Sequence, residues 1–243
     1  MAASQRPRCV LVPGNGCTNV RRSNWYAEAQ KELQSSGLFS EVVLQNMPDP
    51  HVARESVWLP FLLQKLRVGA DTVIIGHSSG AEAAMRLLET QRLRGAVLVS
   101  ACHTDLGMPS EAASGYYSRP WRWESIAANA GFILQWHSAD DPFIPLSEAR
   151  HVAASLGTNC EYIEHQHSSH FFTWDTFGEE LLAKLRDKLL NPPAADHEKL
   201  QADETRQCIV CADTGTVAGL EGPCPLCEGL GLADTLAAEE ALL

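Results

Sequence analysis

Short apolar runs alternate with longer amphipathic segments along the first 190 residues of the chain. The apolar runs are rich in β-branched residues and predict six strands, at Cys9–Val12, Val42–Leu44, Thr72–Ile75, Ala96–Ser100, Phe132–Trp136 and Cys160–Ile163. The amphipathic segments predict helices around Trp25–Leu33, Ser56–Leu66, Ala81–Leu88, Leu146–Ala154 and Phe177–Leu189. Because strands alternate with helices, we expect an α/β fold in three layers, with a mostly parallel sheet between two layers of helices.

The segment from Ser100 to Ala130 interrupts this alternation. It contains glycines, prolines and a group of aromatic residues, Tyr116, Tyr117, Trp121 and Trp123. A long connection inside a compact domain is usually functional, which favours a place for aromatic side chains in a substrate pocket. The alternative is that the tryptophans simply pack on the sheet, and the sequence leaves both interpretations open.

The composition changes after residue 190. Residues 191–207 are polar and charged, with two prolines near their start, and this composition predicts a linker. Residues 208–235 hold four clustered cysteines and predict a small separate module, which a short tail at 236–243 follows. The expected organisation is therefore one large domain at 1–190, a linker, a cysteine module and a tail.

Charge and hydropathy narrow the classes of partner. The net charge is −11, and the segment after residue 190 carries ten acidic and two basic residues. This balance argues against binding to nucleic acid or to an anionic membrane surface, because phosphates would be repelled. No apolar run approaches the ~20 residues that a membrane span needs. The first residues also lack the basic and apolar parts of a secretory signal, so we expect a cytoplasmic location, with the nucleus as an alternative.

The stretch Gly76-His77-Ser78-Ser79-Gly80 fits the pattern G-x-S-x-G, in which a serine lies on a sharp turn between a strand and a helix. A β-branched strand precedes it and an Ala-rich helical segment follows it, which is the context that the pattern requires. Ser78 is therefore the candidate nucleophile. The backbone N–H of Ser79, at the start of the helix, is a candidate oxyanion donor.

A serine hydroxyl needs a base that takes its proton and an acid that orients the base. Asp140 and Asp141 both follow the fifth predicted strand, and we favour Asp141 because it precedes a proline in a D-P turn. Three histidines follow the sixth strand, and we favour His170 because two phenylalanines come directly after it. His165 and His167 are expected to be exposed loop residues.

The loop after the first strand, Val12–Gly16, is expected to supply a second oxyanion donor, Asn15. It contains neither of the glycine patterns that bind phosphates. A metal hydrolase that uses His165 and His167 is an alternative, but it would need acidic ligands that the nearby sequence does not offer.

The first domain resembles the retinoblastoma-binding protein 9 family of small serine hydrolases. The resemblance rests on segments spread over residues 8 to 189, namely VPGNG at Val12–Gly16, NMPDP at Asn46–Pro50, ARESVWLPF at Ala53–Phe61, IIGHSSGAEAAMR at Ile74–Arg86, VLVSA at Val97–Ala101, SGYYSRPWRWE at Ser114–Glu124, DDPF at Asp140–Phe143 and SHF at Ser169–Phe171. It implies an α/β-hydrolase fold without a large lid domain, and the triad Ser78, Asp141 and His170.

The expected reaction is acyl transfer to water. The lack of a lid domain and the aromatic segment Tyr116–Trp123 predict a modest apolar pocket, formed by His77, Tyr116, Trp121 and Trp123, which would fit a small ester, thioester or aminoacyl (amide) substrate. The family takes its name from binding the retinoblastoma pocket through an L-x-C-x-E segment. The corresponding stretch here, Leu66–Ala70, has neither the cysteine nor the glutamate, so this binding is not expected.

The cysteine module has the spacing of a zinc site. Two C-x-x-C pairs supply four thiolates, which is the set that a structural tetrahedral zinc prefers: Cys208, Cys211, Cys224 and Cys227. The second pair resembles the C-x-x-C-x-G-x-G repeat of DnaJ-type cysteine-rich domains, of which only two repeats are present. We expect one structural zinc ion, no catalytic cofactor, and a module that contacts a protein partner. Reduced, unliganded cysteines and a redox pair are alternatives.

Two functions remain open on the sequence alone. The first is a serine hydrolase that carries a zinc module. The second is a catalytically silent adaptor that keeps the hydrolase fold and acts through the module. Because candidates for all three triad residues are present in the expected order, we favour the first.

Overall fold

The computed structural model of the chain describes residues 6–191. Six strands form one sheet: β1 (Arg8–Val12), β2 (Glu41–Leu44), β3 (Thr72–His77), β4 (Gly95–Val99), β5 (Ile133–Ser138) and β6 (Cys160–His165). Seven helices connect the strands or follow them in this part of the chain: α1 (Tyr26–Ser35), α2 (Glu55–Pro60), α3 (Ser79–Leu88), α4 (Pro109–Ala112), α5 (Trp123–Asn129), α6 (Leu146–Leu156) and α7 (Gly178–Leu190).

All neighbouring strands are parallel, in the order β2-β1-β3-β4-β5-β6. The chain leaves β1 towards β2 at one edge and then returns to β3 on the other side of β1. The connections that follow β1 and β3 therefore diverge, which opens a crevice at the carboxyl ends of these two strands. Open parallel sheets bind their ligands at such a point.

The two faces of the sheet are covered by different helices. On one face, alternate strand residues pack in a single apolar cluster with residues of α1 and α7; the cluster includes Cys9, Leu11, Val73, Ile75, Val97, Val99, Leu134 and Trp136. On the other face, α2, α3, α5 and α6 contact one another in series. Since side chains alternate across a strand, each central strand is buried on both sides, which explains its continuous apolar sequence.

The predicted α/β fold with a mostly parallel sheet is confirmed, with three differences of detail. The predicted helix at Ser56–Leu66 is two elements, because α2 ends at Pro60 and a wider π-helical turn continues it over Phe61–Lys65. The segment Ser100–Ala130, expected as a loop, contains the short helices α4 and α5. Strands β3, β5 and β6 also extend to His77, Ser138 and His165. The extensions bring their last residues to the edge where the crevice lies.

Among residues 6–191, no helix has the length and apolar character that crossing a membrane requires. The predicted cysteine module, the tail and the linker beyond Asn191 lie outside the described residues. Their organisation stays a prediction.

Candidate active site

Ser78 lies on a strained turn between β3 and α3. Its backbone has φ 53° and ψ −125°, a conformation that non-glycine residues rarely adopt, and its N–H donates to the carbonyl of Val99 at 2.9 Å. The flanking glycines make the turn possible. A Cβ atom on Gly76 would lie 2.2 Å from the carbonyl oxygen of Gly80, and one on Gly80 would lie 2.3 Å from that of Val12. Any larger side chain at either position would push α3 off the sheet.

Asp141 and His170 form a hydrogen-bonded pair. Oδ2 of Asp141 lies 2.8 Å from Nδ1 of His170, which donates to it because a carboxylate only accepts. The Asp141 side chain is fully buried, and its Oδ1 accepts the backbone N–H groups of Phe143 at 2.9 Å and Ile144 at 3.1 Å. Burial alone would raise the pKa of Asp141, but the hydrogen bond and charge of His170, with these N–H groups, lower it below its usual range.

The neighbouring carboxylate has a different task. Asp140 accepts the hydroxyl of Ser138 at 2.6 Å and the backbone N–H of Ser169 at 2.8 Å. The Ser138 hydroxyl in turn accepts the N–H of Ser168 at 2.9 Å. Asp140 therefore ties the loop that carries His170 to the end of β5, whereas Asp141 contacts the imidazole itself.

The loop around His170 is strained and anchored. Ser169 and Phe171, on either side of His170, both have φ 51°. The indole nitrogen of Trp25 donates to the carbonyl of Phe171 at 2.7 Å, and a ring nitrogen of His77 lies 2.9 Å from the carbonyl of His170. These two contacts hold the backbone of the loop in place.

A cavity of about 550 Å³ opens beside the serine. Its lining includes Ser78, His170 and the loop after β1, with Gly14, Asn15 and Gly16. A Cβ atom on Gly14 would lie 3.2 Å from Cβ of Ser78, so this loop packs directly on the turn. The side chain of Asn15 donates to Glu111 at 3.0 Å, which ties this loop to α4.

The cavity wall is acidic on one side and apolar on another. Among residues 6–191, Glu82 and Glu111 are the carboxyl groups on its lining, and no lysine or arginine of this range lines it. Glu82 is only 1% exposed and accepts the backbone N–H of Cys102 at 2.9 Å. Burial raises the pKa of Glu82 well above its usual range. The apolar part consists of Leu106, Met108, Phe143, Ile144 and Phe172, beside Tyr117.

Of the four residues predicted for the substrate pocket, the structure places one on this lining. His77 lines the cavity, and Tyr116, Trp121 and Trp123 do not. Tyr116 is buried. Trp121 stacks on Trp123 with 5.6 Å between the ring centroids, and the guanidinium of Arg86 lies 3.7 Å from the centre of the Trp121 ring. These three side chains lie away from the lining, and Tyr117 is the aromatic residue of the Ser100–Ala130 segment that lines the cavity.

The other two histidines of the last loop lie apart from the cavity. His165 ends β6 and, contrary to the prediction of an exposed loop residue, is partly buried and bonded to Ser168 at 2.8 Å and Glu180 at 3.0 Å. His167 is exposed. Within residues 6–191, no group of three histidine, cysteine or acidic residues is arranged to hold a metal ion. The four cysteines predicted to bind zinc lie outside this range.

Sequence reasoning missed two residues that shape the site. Tyr26, the first residue of α1, hydrogen-bonds to His77, and Glu82 forms part of the cavity wall. No local pattern marks Tyr26. Glu82 had a signal, because it is the only charged residue in the first turn of a helix whose residues are all buried.

A parallel sheet with a strained serine after a central strand, and with an aspartate–histidine pair beside it, is the arrangement of an α/β-hydrolase. A family model described as serine hydrolase matches residues 9–182, which is more than half of the chain. The chain therefore belongs to the serine hydrolase family.

Individual similar proteins support this family membership and the fold. Serine hydrolase RBBP9 of Rattus norvegicus is 50% identical over 149 residues, which cover 61% of this chain and 80% of the rat protein. The crystal structure of the ydeN gene product of Bacillus subtilis has a TM-score of 0.63 at 24% identity, over 75% of this chain and all of that one. Est1E of Butyrivibrio proteoclasticus has a TM-score of 0.57 at 14% identity, over 78% and 89% of the two chains. The two structures show that the fold is shared.

Proposed function

We propose that Ser78, His170 and Asp141 form a catalytic triad that cleaves a small ester, thioester or aminoacyl (amide) substrate. One observation carries the proposal: the strained Ser78 and the His170 that Asp141 holds line the same cavity. A strained turn costs stability and persists where the surrounding packing imposes it, as the two flanking glycines do here. The family membership supports hydrolysis as the reaction.

The reaction is an acyl transfer to water. His170 accepts the proton of the Ser78 hydroxyl as its oxygen attacks the substrate carbonyl, and Asp141 stabilises the imidazolium that forms. The proton then passes to the leaving group as the carbonyl–heteroatom bond breaks. Water, deprotonated by His170, releases the acyl group from Ser78. The backbone N–H groups of Asn15 and Ser79 bind the oxyanion, and each such donor lowers the barrier by ~3 kcal/mol.

The wall of the cavity favours some acyl groups over others. Burial disfavours the charged form of Glu82, so Glu111 supplies the negative charge of this wall. No lysine or arginine among the described lining residues balances it, so an anionic acyl group would meet unfavourable charge. Neutral groups, or groups with a protonated amine, suit this wall better. The volume of about 550 Å³ fits a small substrate.

Active-site labelling tests the catalytic role. We expect a fluorophosphonate probe to label the wild-type protein and Ser79→Ala, and to label neither Ser78→Ala nor His170→Ala. Circular dichroism on each variant controls for folding. A folded wild-type protein that takes no label, or a Ser78→Ala variant that still takes it, would overturn the proposed triad.

Nitrophenyl esters with acetyl, aminoacyl and succinyl groups test the choice of substrate. We expect the anionic succinyl ester to have the lowest kcat/KM, and Glu111→Gln to reduce its disadvantage. Equal rates for all three esters would show that the acidic wall does not select the acyl group.

We also propose that the four cysteines outside the described residues bind one structural zinc ion and form a contact surface for a protein partner. The proposal rests on their paired spacing. Native mass spectrometry of the full chain should show one zinc per chain that is lost in Cys224→Ser, while probe labelling of Ser78 is unchanged. A metal-free chain with freely alkylated cysteines would contradict it.

A further inference from the structure

The hydroxyl of Tyr26 is fully engaged in the interior of the protein. It accepts the backbone N–H of Gly14 at 3.0 Å and the side-chain amide of Asn24 at 3.1 Å. Two further groups approach it: Nδ1 of His77 at 2.7 Å, and the thiol of Cys17 at 4.0 Å, which is only a weak donor. A hydroxyl has one proton and two lone pairs, so with both lone pairs used its proton must point to His77.

The same reasoning fixes the state of the His77 ring. Nε2 of His77 lies 2.9 Å from the carbonyl oxygen of His170, which only accepts, so Nε2 carries the ring proton. Nδ1 is then free to accept from Tyr26. The ring is neutral, in agreement with its burial, which lowers the pKa of His77 to about 3. Every polar atom in this chain of hydrogen bonds has a partner.

The chain of hydrogen bonds connects two parts of the site that are far apart in sequence. At one end is Gly14, in the loop that packs on Ser78. At the other is the carbonyl of His170, between two residues with positive φ. The hydroxyl of Tyr26 and the ring of His77 are the links between these ends.

We propose that Tyr26 and His77 are positioning residues that hold the Gly14–Asn15 loop and the His170 backbone at a fixed spacing around Ser78. The inference rests on the proposed function, since it assigns these residues a role in the same reaction. Their hydrogen bonds reach the backbones of Gly14 and His170 rather than the side chains of Ser78 and His170, and the ring of His77 also packs against that of His170 at 4.8 Å between centroids. They act by keeping the base and the oxyanion loop aligned on one serine, and misplacement by about 1 Å can cost about 100-fold in rate.

Paired substitutions at His77 test the proposal by kinetics. The amide nitrogen of His77→Gln can replace Nε2 as donor to His170, whereas His77→Leu cannot. We expect His77→Leu to lower kcat by 10- to 100-fold with KM changed less than about threefold, and His77→Gln to recover most of the loss. Equal kcat in folded His77→Leu and wild type would overturn the proposal. So would equal losses in both variants.

A double substitution tests whether the two residues act as one unit. Tyr26→Phe alone should lower kcat, because the His77 ring loses its donor and Gly14 its acceptor. In the His77→Leu background the same change should lower kcat much less, because the link is already broken. If the losses in kcat of the two single variants multiply in the double variant, the two residues act independently, which would contradict the proposal.

Nitrogen NMR of the histidine rings gives a readout that does not depend on activity. We expect His77 in the wild type to be neutral with its proton on Nε2, and the His170 ring signals to shift in Tyr26→Phe. A His77 proton on Nδ1, or unchanged His170 signals, would overturn the proposal. If the wild type proves inactive, the proposed function fails, and these spectra still decide the inference.

Discussion

Asp141 and His170 come from loops 29 residues apart in sequence, and one oxygen of the carboxylate lies 2.8 Å from the imidazole. The other oxygen accepts two backbone N–H groups from the residues that follow Asp141 in its own loop. The carboxylate therefore cannot rotate away from His170 without losing three hydrogen bonds. This fixation gives the imidazole one orientation before any substrate arrives.

The two adjacent aspartates should respond differently to removal of charge. We expect Asp141→Asn to lower kcat/KM by roughly 10³- to 10⁴-fold, because the amide no longer stabilises the imidazolium and favours the wrong tautomer. Both Ser138 and Ser169 donate to one oxygen of Asp140, which Asp140→Asn keeps, so this variant should lower kcat/KM by less than about 10-fold. Steady-state hydrolysis of a nitrophenyl ester measures both. A larger loss in Asp140→Asn than in Asp141→Asn would mean that Asp140, not Asp141, is the acid of the triad.

The backbone strain at Ser78 should lower the free energy of unfolding by a measurable amount. Glycine adopts the φ and ψ of Ser78 without penalty, whereas alanine retains the strain. We expect the free energy of unfolding of Ser78→Gly to be about 1 kcal/mol higher than that of Ser78→Ala. Relief of the backbone strain contributes roughly 1–3 kcal/mol, and the greater entropy of glycine in the unfolded chain offsets part of it. Urea denaturation of the two inactive variants measures the difference. An alanine variant at least as stable as the glycine variant would show that the turn is relaxed.

The burial of His77 should make stability depend on pH. Its pKa falls from the usual 6.5 to about 3 in the folded protein, so below pH 6.5 the unfolded chain takes up a proton that the folded protein refuses. The stability contributed by His77 is thus complete above pH 6.5 and is lost as pH falls towards 3. We expect His77→Gln to be less stable than wild type at pH 7.5 and to gain on it by up to about 1.4 kcal/mol per pH unit in that window.

The control for this prediction is the exposed His51. His51→Gln removes one histidine in the same way from an exposed position, and its denaturation is measured beside that of His77→Gln. Denaturation curves at pH 4, 5, 6 and 7.5 are sufficient. A parallel pH dependence for His77→Gln and wild type would show that the ring is not held neutral.

Arg86 should be one of the most sensitive positions outside the site. Its buried guanidinium bonds to Glu89 and to the carbonyls of Tyr116, Arg119 and Pro120. Arg86→Met would remove the positive charge that balances the buried Glu89 and would leave three backbone carbonyls without this donor. We therefore expect a loss of roughly 3–5 kcal/mol in free energy of unfolding.

An exposed ion pair gives the matched control. Arg150 bonds to Glu164 with 60% of its side chain exposed, and Arg150→Met should lower the free energy of unfolding far less than Arg86→Met does, because solvent screens an exposed pair. Thermal and urea unfolding of the two variants measure the contrast. Similar losses at the two positions would mean that the Arg86 network does not hold the segment that carries Tyr117.

Several features of this protein follow from local sequence. The continuous apolar runs predict buried parallel strands, and all six strands occur near the predicted positions. The glycines around Ser78 predict the sharp turn, because only residues without a Cβ allow the contacts that Gly76 and Gly80 make. Such features can be predicted because periodicity and steric limits act between residues that are close in the chain.

Other features depend on how distant segments meet. Asp140 and Asp141 have the same chemistry and adjacent positions, and only the path of the His170 loop decides which one contacts the imidazole. Tyr117 lines the cavity while Trp121 packs against Trp123 and Arg86, a difference that aromatic composition does not encode.

The role of Tyr26 belongs to the same group, since its partners Gly14 and His77 are 12 and 51 residues away along the chain. The sequence by itself determined the fold class, the serine on its turn and a short set of acids and bases. The tertiary structure decided which of these groups contact one another. The physical reason is that hydrogen bonds and charges act over a few ångströms in space, whereas sequence patterns report only the burial and backbone geometry of neighbouring residues.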